Sequence, residues 1–418
     1  MLTEIIREAW IALRRNRTRS ILTMLGIVWG IATVTLLVAY GSSFRQILSN
    51  GFDAFGKSVV IAWPQQTSEQ PGGQRAGKKV VLERADIDAI RNSAPLVKYA
   101  CLETVRRPGV SYGDRMVGTA AVRGVCPEYG EMRNEVPSEG RWLNSADELE
   151  RRRVCFLGGR VREQLFSGRP AVGEYVQIGG VRFQVVGVME RKIQLSNYFS
   201  SDDDSVWIPY SAAGDLWNTR YAAVLVFSPI APQFEKRAMK QVLAAIAERQ
   251  QFSPTDPQAF QMFGRDEFRP IIDGITIGLQ VLLLFIGTLT LGIGAVGVMN
   301  IMLVSVDERI REIGLRRALG ARKWHIRLQF LSETLLIMLL GGALGIVMSY
   351  LIAAAVGTLP LMGPLVEDDS GKADIHLHIS MATVLASATV LLIVGVVSGM
   401  VPALRASKLD PVEALRYE

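Results

Sequence analysis

Two apolar runs without a single charge, set on either side of a short basic stretch, restrict this chain more than any other feature. Gly274–Val306 and Thr334–Val366 contain no Asp, Glu, Lys or Arg. Each is longer than the roughly 20 residues a helix needs to cross a bilayer. Between them lies VSVDERIREIGLRRALGARKWHIRLQF, residues 304–330, carrying Arg309, Arg311, Arg316, Arg317, Arg322, Lys323 and Arg327. Short basic loops between membrane spans stay in the cytoplasm. Ile310, Ile313, Leu315 and Leu319 recur near helical spacing, and Gly320 then offers a stop. Residues 307–328 therefore read as a small amphipathic helix at the cytoplasmic mouth of two membrane helices. Its apolar face offers Ile313 and Leu319, and its charges offer Glu312 and Arg316. It is expected to dock something in the cytosol.

Two further spans follow from the same rules. Residues 20–44 form an apolar run preceded by Arg14, Arg15, Arg17 and Arg19. The core is too long for a signal peptide and no convincing small-residue cleavage site follows, so it is a retained anchor. Residues 1–19 place Leu2, Ile5, Ile6, Ala9, Trp10 and Leu13 on one helical face, the pattern of a helix lying on a membrane surface. Residues 270–306 form the second span, 329–356 the third and 380–404 the fourth. The uncharged part of the second alone spans about 50 Å as a helix, against a hydrocarbon core of roughly 30 Å. The excess is tilt or a stalk, and Pro270 suits its start. Residues 357–379 are a short outer loop with Glu367, Asp368, Asp369 and Asp374. Residues 405–418 are a basic cytoplasmic tail. Both termini are then inside. Asp273 and Glu333 are the only charges within these limits, each near a helix end and expected to be wet. The basic residues cluster beside apolar runs, which favours membrane topology over nucleic-acid binding.

Residues 45–269 are polar and mixed, and 21% of the whole chain is charged. A loop this long translocates regardless of its own charge. Strand patterns at 58–63, 97–105, 115–125, 153–157, 175–188, 206–209 and 222–227 interleave with helix patterns at 83–92, 160–166 and 233–250. The fold class is thus an α-helical membrane protein with four transmembrane helices and a large α+β extracytoplasmic domain between helices 1 and 2. Cys101, Cys126 and Cys155 all lie in that domain. They allow one disulfide and leave one thiol over.

Several motifs carry no chemistry. Gly72 to Lys79 nearly matches a phosphate-binding loop, but Lys79 stands where a magnesium-binding hydroxyl is needed. Gly292, Gly294 and Gly297 match a dinucleotide fingerprint, yet lie inside a span without a strand before them. Close helix packing explains them better, and Gly26/Gly30, Gly341/Gly345 and Gly395/Gly399 repeat the four-residue spacing. His376 and His378 form a lone HxH, too weak for a metal site. No catalytic set is present and no charge lies mid-bilayer, so neither catalysis nor an ion path is expected.

The layout and two motifs resemble a known family. LGIGAVGVMNIMLVSVDERIREIGLRRALGARKWHIRLQFLSETLLI (291–337) and ASKLDPVEALRYE (406–418) are similar to MacB-like ABC transporter permeases, the type VII or mechanotransmission class related to FtsX and LolC/LolE. GRWL (140–143) and VGEYVQIGGVRFQVVGVM (172–189) match more loosely. The resemblance implies an inner-membrane permease subunit that pairs with a second copy and carries no cofactor of its own. ATP and magnesium would be bound by an ATPase on a separate polypeptide, since the family archetype has its ATPase fused ahead of the point where this chain starts. It implies that Asp307, Glu308, Arg311, Glu312, Ile313, Arg316, Ala318, Leu319, Gly320 and Ala321 form the ATPase contact. It also implies a periplasmic adaptor and an outer-membrane channel. The alternative within the relatives is an FtsX-like regulator of a cell-wall hydrolase.

Overall fold

A computed structural model describes residues 17–53, 56, 58–68, 77–192, 198–359 and 374–416, so most of the expected surface helix at 1–19 and the acidic residues 367–369 lie outside it. The chain divides into two compact units. One comprises residues 1–46, 274–361 and 374–418, and the other residues 47–273 and 362–373.

The first unit is helical. Among the described residues four helices are long and apolar enough to cross a membrane. They are Arg17–Asp53, Arg265–Glu308, Lys323–Val356 and Met381–Lys408. A chain in lipid must satisfy its own backbone groups, and a helix does so within one segment. The second helix does not begin at Pro270. It starts at Arg265 and carries Pro270 inside it. That early position forfeits one backbone bond without breaking the helix. A short helix, Ile310–Ala318, follows after the single residue Arg309, and Pro411–Arg416 is helical again.

The second unit is a mixed α/β domain. Its strands are β1 Val60–Pro64, β2 Val97–Arg106, β3 Val110–Tyr112, β4 Arg115–Val117, β5 Ala121–Val125 and β6 Pro137–Gly140. They continue as β7 Val154–Leu157, β8 Tyr175–Ile178, β9 Val181–Met189, β10 Ser205–Pro209, β11 Val224–Pro229 and β12 Phe260–Phe263. The hydrogen-bonded order is β12-β1-β11-β2-β5-β10-β7-β9-β8-β3-β4, with β6 beside β9. Strand β2 changes partner along its length. Residues up to Glu103 pair with β11, and Thr104 to Arg106 pair with β5. One strand thus joins two sheet halves. Alternate residues feed opposite faces. Val60, Ala62, Leu225 and Phe227 pack under the helices Arg84–Ser93 and Glu235–Gln250. Ile61, Val224, Val226 and Trp207 pack on another face. Covering both faces explains why these strands are nearly continuous apolar runs.

Two devices hold the junction at β2. Cys101 and Cys126 form a disulfide with Cα atoms 5.8 Å apart, leaving the thiol of Cys155 buried. Beside it lies a largely buried polar network. Arg123 donates from Nη1 to Glu103 Oε1 at 2.8 Å and from Nε to Ser205 Oγ at 3.1 Å. Its Nη2 donates to the carbonyls of Tyr198 and Ser200. Arg133 and Lys192 reach Asp202 Oδ2 at 3.0 and 2.8 Å, and Lys192 also reaches Glu135 at 3.0 Å. An unpaired charge here would cost several kcal/mol, so the set is stable only when complete.

Two predictions follow from this junction. Replacing Cys101 and Cys126 with Ser should cost about 2–4 kcal/mol, the usual value for losing a disulfide. Non-reducing mass spectrometry should find that pair protected and Cys155 as the one thiol released on denaturation. The second concerns pH. Burial and the nearby Asp202 carboxylate push the Glu135 carboxyl up to about 8, against 4.5 ordinarily. Its folded value is raised, so its stabilisation is full below pH 4.5 and is lost as pH rises through 8. The loss is about 1.4 kcal/mol per pH unit at most. Asp202 is shifted the other way, held low by Arg133, Lys192 and Arg123, so its stabilisation is lost only as pH falls below 3.8. Glu135→Gln should therefore flatten the fall in thermal stability between pH 5 and 8, measured by melting at each pH.

Candidate functional site

The expected docking stretch is built as a short helix strapped to the helical unit. Ile310–Ala318 carries an outward face of Arg311, Glu312, Leu315 and Ala318, continued by Leu319 and Gly320. Leu319 is 81% exposed and Leu315 53%. Gly320 adopts φ 98°, a conformation that glycine reaches without strain, and it turns the chain toward the third spanning helix. Asp307 and Glu308 are also exposed, and Asp307 pairs with Arg405 at 3.1 Å. Ala321 is half-buried against the bundle core.

Ile313 departs from the sequence reading. It is only 3% exposed and packs in the apolar core of the helical unit with Ile326, Phe330 and Ala406. Ile313 and Leu319 therefore do not share an outward face. Helical spacing alone does not say which side of a stripe meets the bundle. Beside Ile313, a Cβ placed on Gly314 would meet Ala414 Cβ at 2.6 Å, so the glycine lets the C-terminal helix approach closely. Arg316 donates to Gln329 Oε1 at 2.8 Å and pairs with Glu312. Arg317 donates to the carbonyls of Ser407 and Leu409. Glu333 is not wet. It is 3% exposed and pairs with Arg309 at 3.5 Å.

The glycines selected for helix packing separate into groups. Cβ atoms on Gly26 and Gly30 of the first helix would meet Cα of Gly294 and Leu291 of the second at 3.3 and 2.9 Å, and one on Gly294 would meet the Gly26 carbonyl. Gly341 and Gly345 of the third helix receive Ile27 and Ile31 of the first. Gly395 and Gly399 of the fourth receive Met338 and Thr334 of the third. The pairing lies within one chain. Gly292 faces open space, and Gly297 is half-buried. Gly287 and Gly342 were not singled out by spacing, yet sit tightly against Val34 and Leu391. The near phosphate-loop match lies mostly outside the described residues, and its Lys78 donates to the Gln250 carbonyl.

Four spanning helices, an α+β domain inserted after the first and a strapped helix between the second and third define a multi-pass permease. Comparison makes this specific. Residues 20–247, more than half of the chain, match the model of the MacB-like periplasmic core domain. Residues 284–411 match the model of the FtsX-like permease C-terminal region. The chain belongs to the MacB-like family of ABC transporter permeases. Among similar proteins is the "Macrolide export ATP-binding/permease protein MacB" of Bdellovibrio bacteriovorus. It is 30% identical over 425 residues, covering 99% of this chain and 62% of that protein. The protein of the same name from Bordetella avium is 32% identical over 421 residues, covering 100% of this chain and 60% of its own length. The chain thus spans about three fifths of these relatives. The periplasmic region of MacB from Actinobacillus actinomycetemcomitans matches with a TM-score of 0.43 and 15% identity, over 55% of this chain and 98% of that one.

The inward place of Ile313 sets a test. Ile313→Asp buries an unpartnered charge, which costs about 3–5 kcal/mol in comparable sites. The purified variant in lipid should melt markedly lower than the parent, whereas Leu319→Asp should melt like it.

Proposed function

We propose that this chain is the membrane component of a bacterial ABC exporter of the inner membrane, with both termini in the cytoplasm, working as two copies with two ATPase units. The outward face of the Ile310–Ala318 helix carries the reading. It combines exposed Leu315 and Leu319 with Arg311 and Glu312, outside the spans, on a helix anchored by Ile313. Apolar side chains ringed by charge and left in water are what a docking surface offers. ATP-driven closure of the ATPases moves the spans through this helix. The motion passes to the inserted domain, which drives substrate already outside the inner membrane, with a periplasmic adaptor and an outer-membrane channel. ATP and magnesium belong to the partner. Family membership and the tightly packed bundle interior, where the buried carboxylate of Glu333 is paired with Arg309, both favour this reading over conduction through the helices. A Cys101–Cys126 disulfide suits an oxidising, extracytoplasmic compartment for the inserted domain.

The test is recruitment. Leu315→Asp and Leu319→Asp should each cut co-purification of the ATPase and stimulated turnover in lipid at least tenfold, equivalent to about 1.4 kcal/mol of docking energy. Lys408→Glu, a charge change off this face, should do much less. Normal recruitment by both aspartate variants would show that another surface takes the ATPase. If the relevant neighbour is a cell-wall hydrolase instead of an adaptor, hydrolase activation will respond to these variants and export will not.

A further inference from the structure

The strapped helix is held to the third spanning helix by two polar rungs with an apolar plug between them. Ile313 and Arg316 stand at i and i+3 of the short helix and so share a face, and the carbonyl of Arg309, just before its first residue, accepts from Ile313 N at 3.0 Å. They meet a matching face of the helix Lys323–Val356. Arg309 pairs with Glu333 at 3.5 Å, and Arg316 donates to Gln329 Oε1 at 2.8 Å. Gln329 and Glu333 are themselves four residues apart, one above the other. Ile313, between Arg309 and Arg316 in sequence, is buried in the same apolar cluster as Ile326 and Phe330.

Arg309 also occupies the break in the chain. The second spanning helix ends at Glu308 and the next begins at Ile310, with Arg309 at φ −111° and ψ 15°. A one-residue break between two helices bends easily unless something braces it. Arg309 is the residue that would have to rotate, and its side chain is tied to a neighbouring helix. Burying Glu333 is costly, and replacing a buried ion pair with apolar residues is often neutral or stabilising. Apolar packing alone would let the helix slip or roll on the third span, since the polar tie from Arg317 runs to the carbonyls of Ser407 and Leu409 instead. Paired polar groups fix one register, which is the best attested use of buried charge.

We infer that Arg309–Glu333 and Arg316–Gln329 form a positioning ladder that makes the docking helix and the third span one rigid piece. A push on Leu315 and Leu319 then moves the third span instead of flexing the chain at Arg309. This rests on the docking reading given above, but its geometry does not.

The test uses the full chain in lipid discs. Spin labels at Leu319 and Leu328, both exposed, report the distance between the docking helix and the third span in labelled chains alone, and recruitment and transport are read on unlabelled chains with the ATPase, because Leu319 lies on the docking surface. Glu333→Gln and Arg309→Gln should broaden that distance distribution, and the exchanged pair Arg309→Glu with Glu333→Arg should narrow it again. ATPase co-purification should stay within twofold of the parent, while the transport obtained per ATP hydrolysed falls at least fivefold and recovers in the exchanged pair. Unchanged distances in both single variants overturn the ladder, whatever happens to transport. Broadened distances with unchanged transport per ATP overturn its role in coupling. Should Glu333→Gln fail to fold, Gln329→Leu removes the second rung alone and must broaden the distribution in the same way. Failure of the docking reading shows up separately, as normal recruitment by Leu319→Asp together with broadened distances in the ladder variants.

Discussion

Backbone-to-backbone contact on the first spanning helix is the constraint on which the helical unit depends. In lipid there is little hydrophobic gain from bringing two apolar helices together, so association rests on close packing and a few polar contacts. The first helix supplies both. Its Gly26 and Gly30 admit the second helix, and its Ile27 and Ile31 enter notches made by Gly341 and Gly345 in the third. Thr35 then meets Ser387 of the fourth at 3.1 Å. The third and fourth helices close the set through Gly395 and Gly399. Because each notch is a missing side chain, even one added methyl at Gly294 would press on the Gly26 carbonyl at 2.7 Å.

Buried charge is used sparingly and for register. In the helical unit it ties Arg309, at the break before the Ile310–Ala318 helix, to Glu333 of the third spanning helix. In the α/β domain it sits where β2 changes partners, next to a disulfide. Both places join parts that apolar packing would leave free to slide. In each, an arginine with fixed fork geometry meets a buried acceptor, which suits a joint that must hold one arrangement.

Much of the architecture was legible because its signals are local. Charge-free runs mark spans, and the strand-like runs at 97–105 and 222–227 correspond to β2 and β11 with small shifts at their ends. The run 175–188 resolves into β8 and β9 around Gly179 and Gly180, both with positive φ. Strands β3, β6 and β12 escaped, being three or four residues long and without clear alternation. The short helix Ile310–Ala318 was legible from its charge and spacing, but not its orientation. Whether Ile313 turns in or out depends on Phe330 and Ala406, which are distant in sequence. The burial of Glu333 was invisible for the same reason, since a carboxylate near a helix end looks wet until Arg309 is placed beside it. Gly287 lacks a partner at four-residue spacing, so only the approach of Val34 reveals its task.

The lone thiol has a consequence for the chemistry of the mature protein. Cys155 sits in the centre of β7 without solvent access, and burial pushes its thiol up, away from the reactive thiolate form. Thiol–disulfide exchange needs a thiolate that can reach a sulfur. Cys101 is shielded as well, at 1% exposed. An odd number of cysteines would ordinarily invite scrambling or cross-linking between copies. Here one bond is kept and one thiol is stored out of reach of solvent.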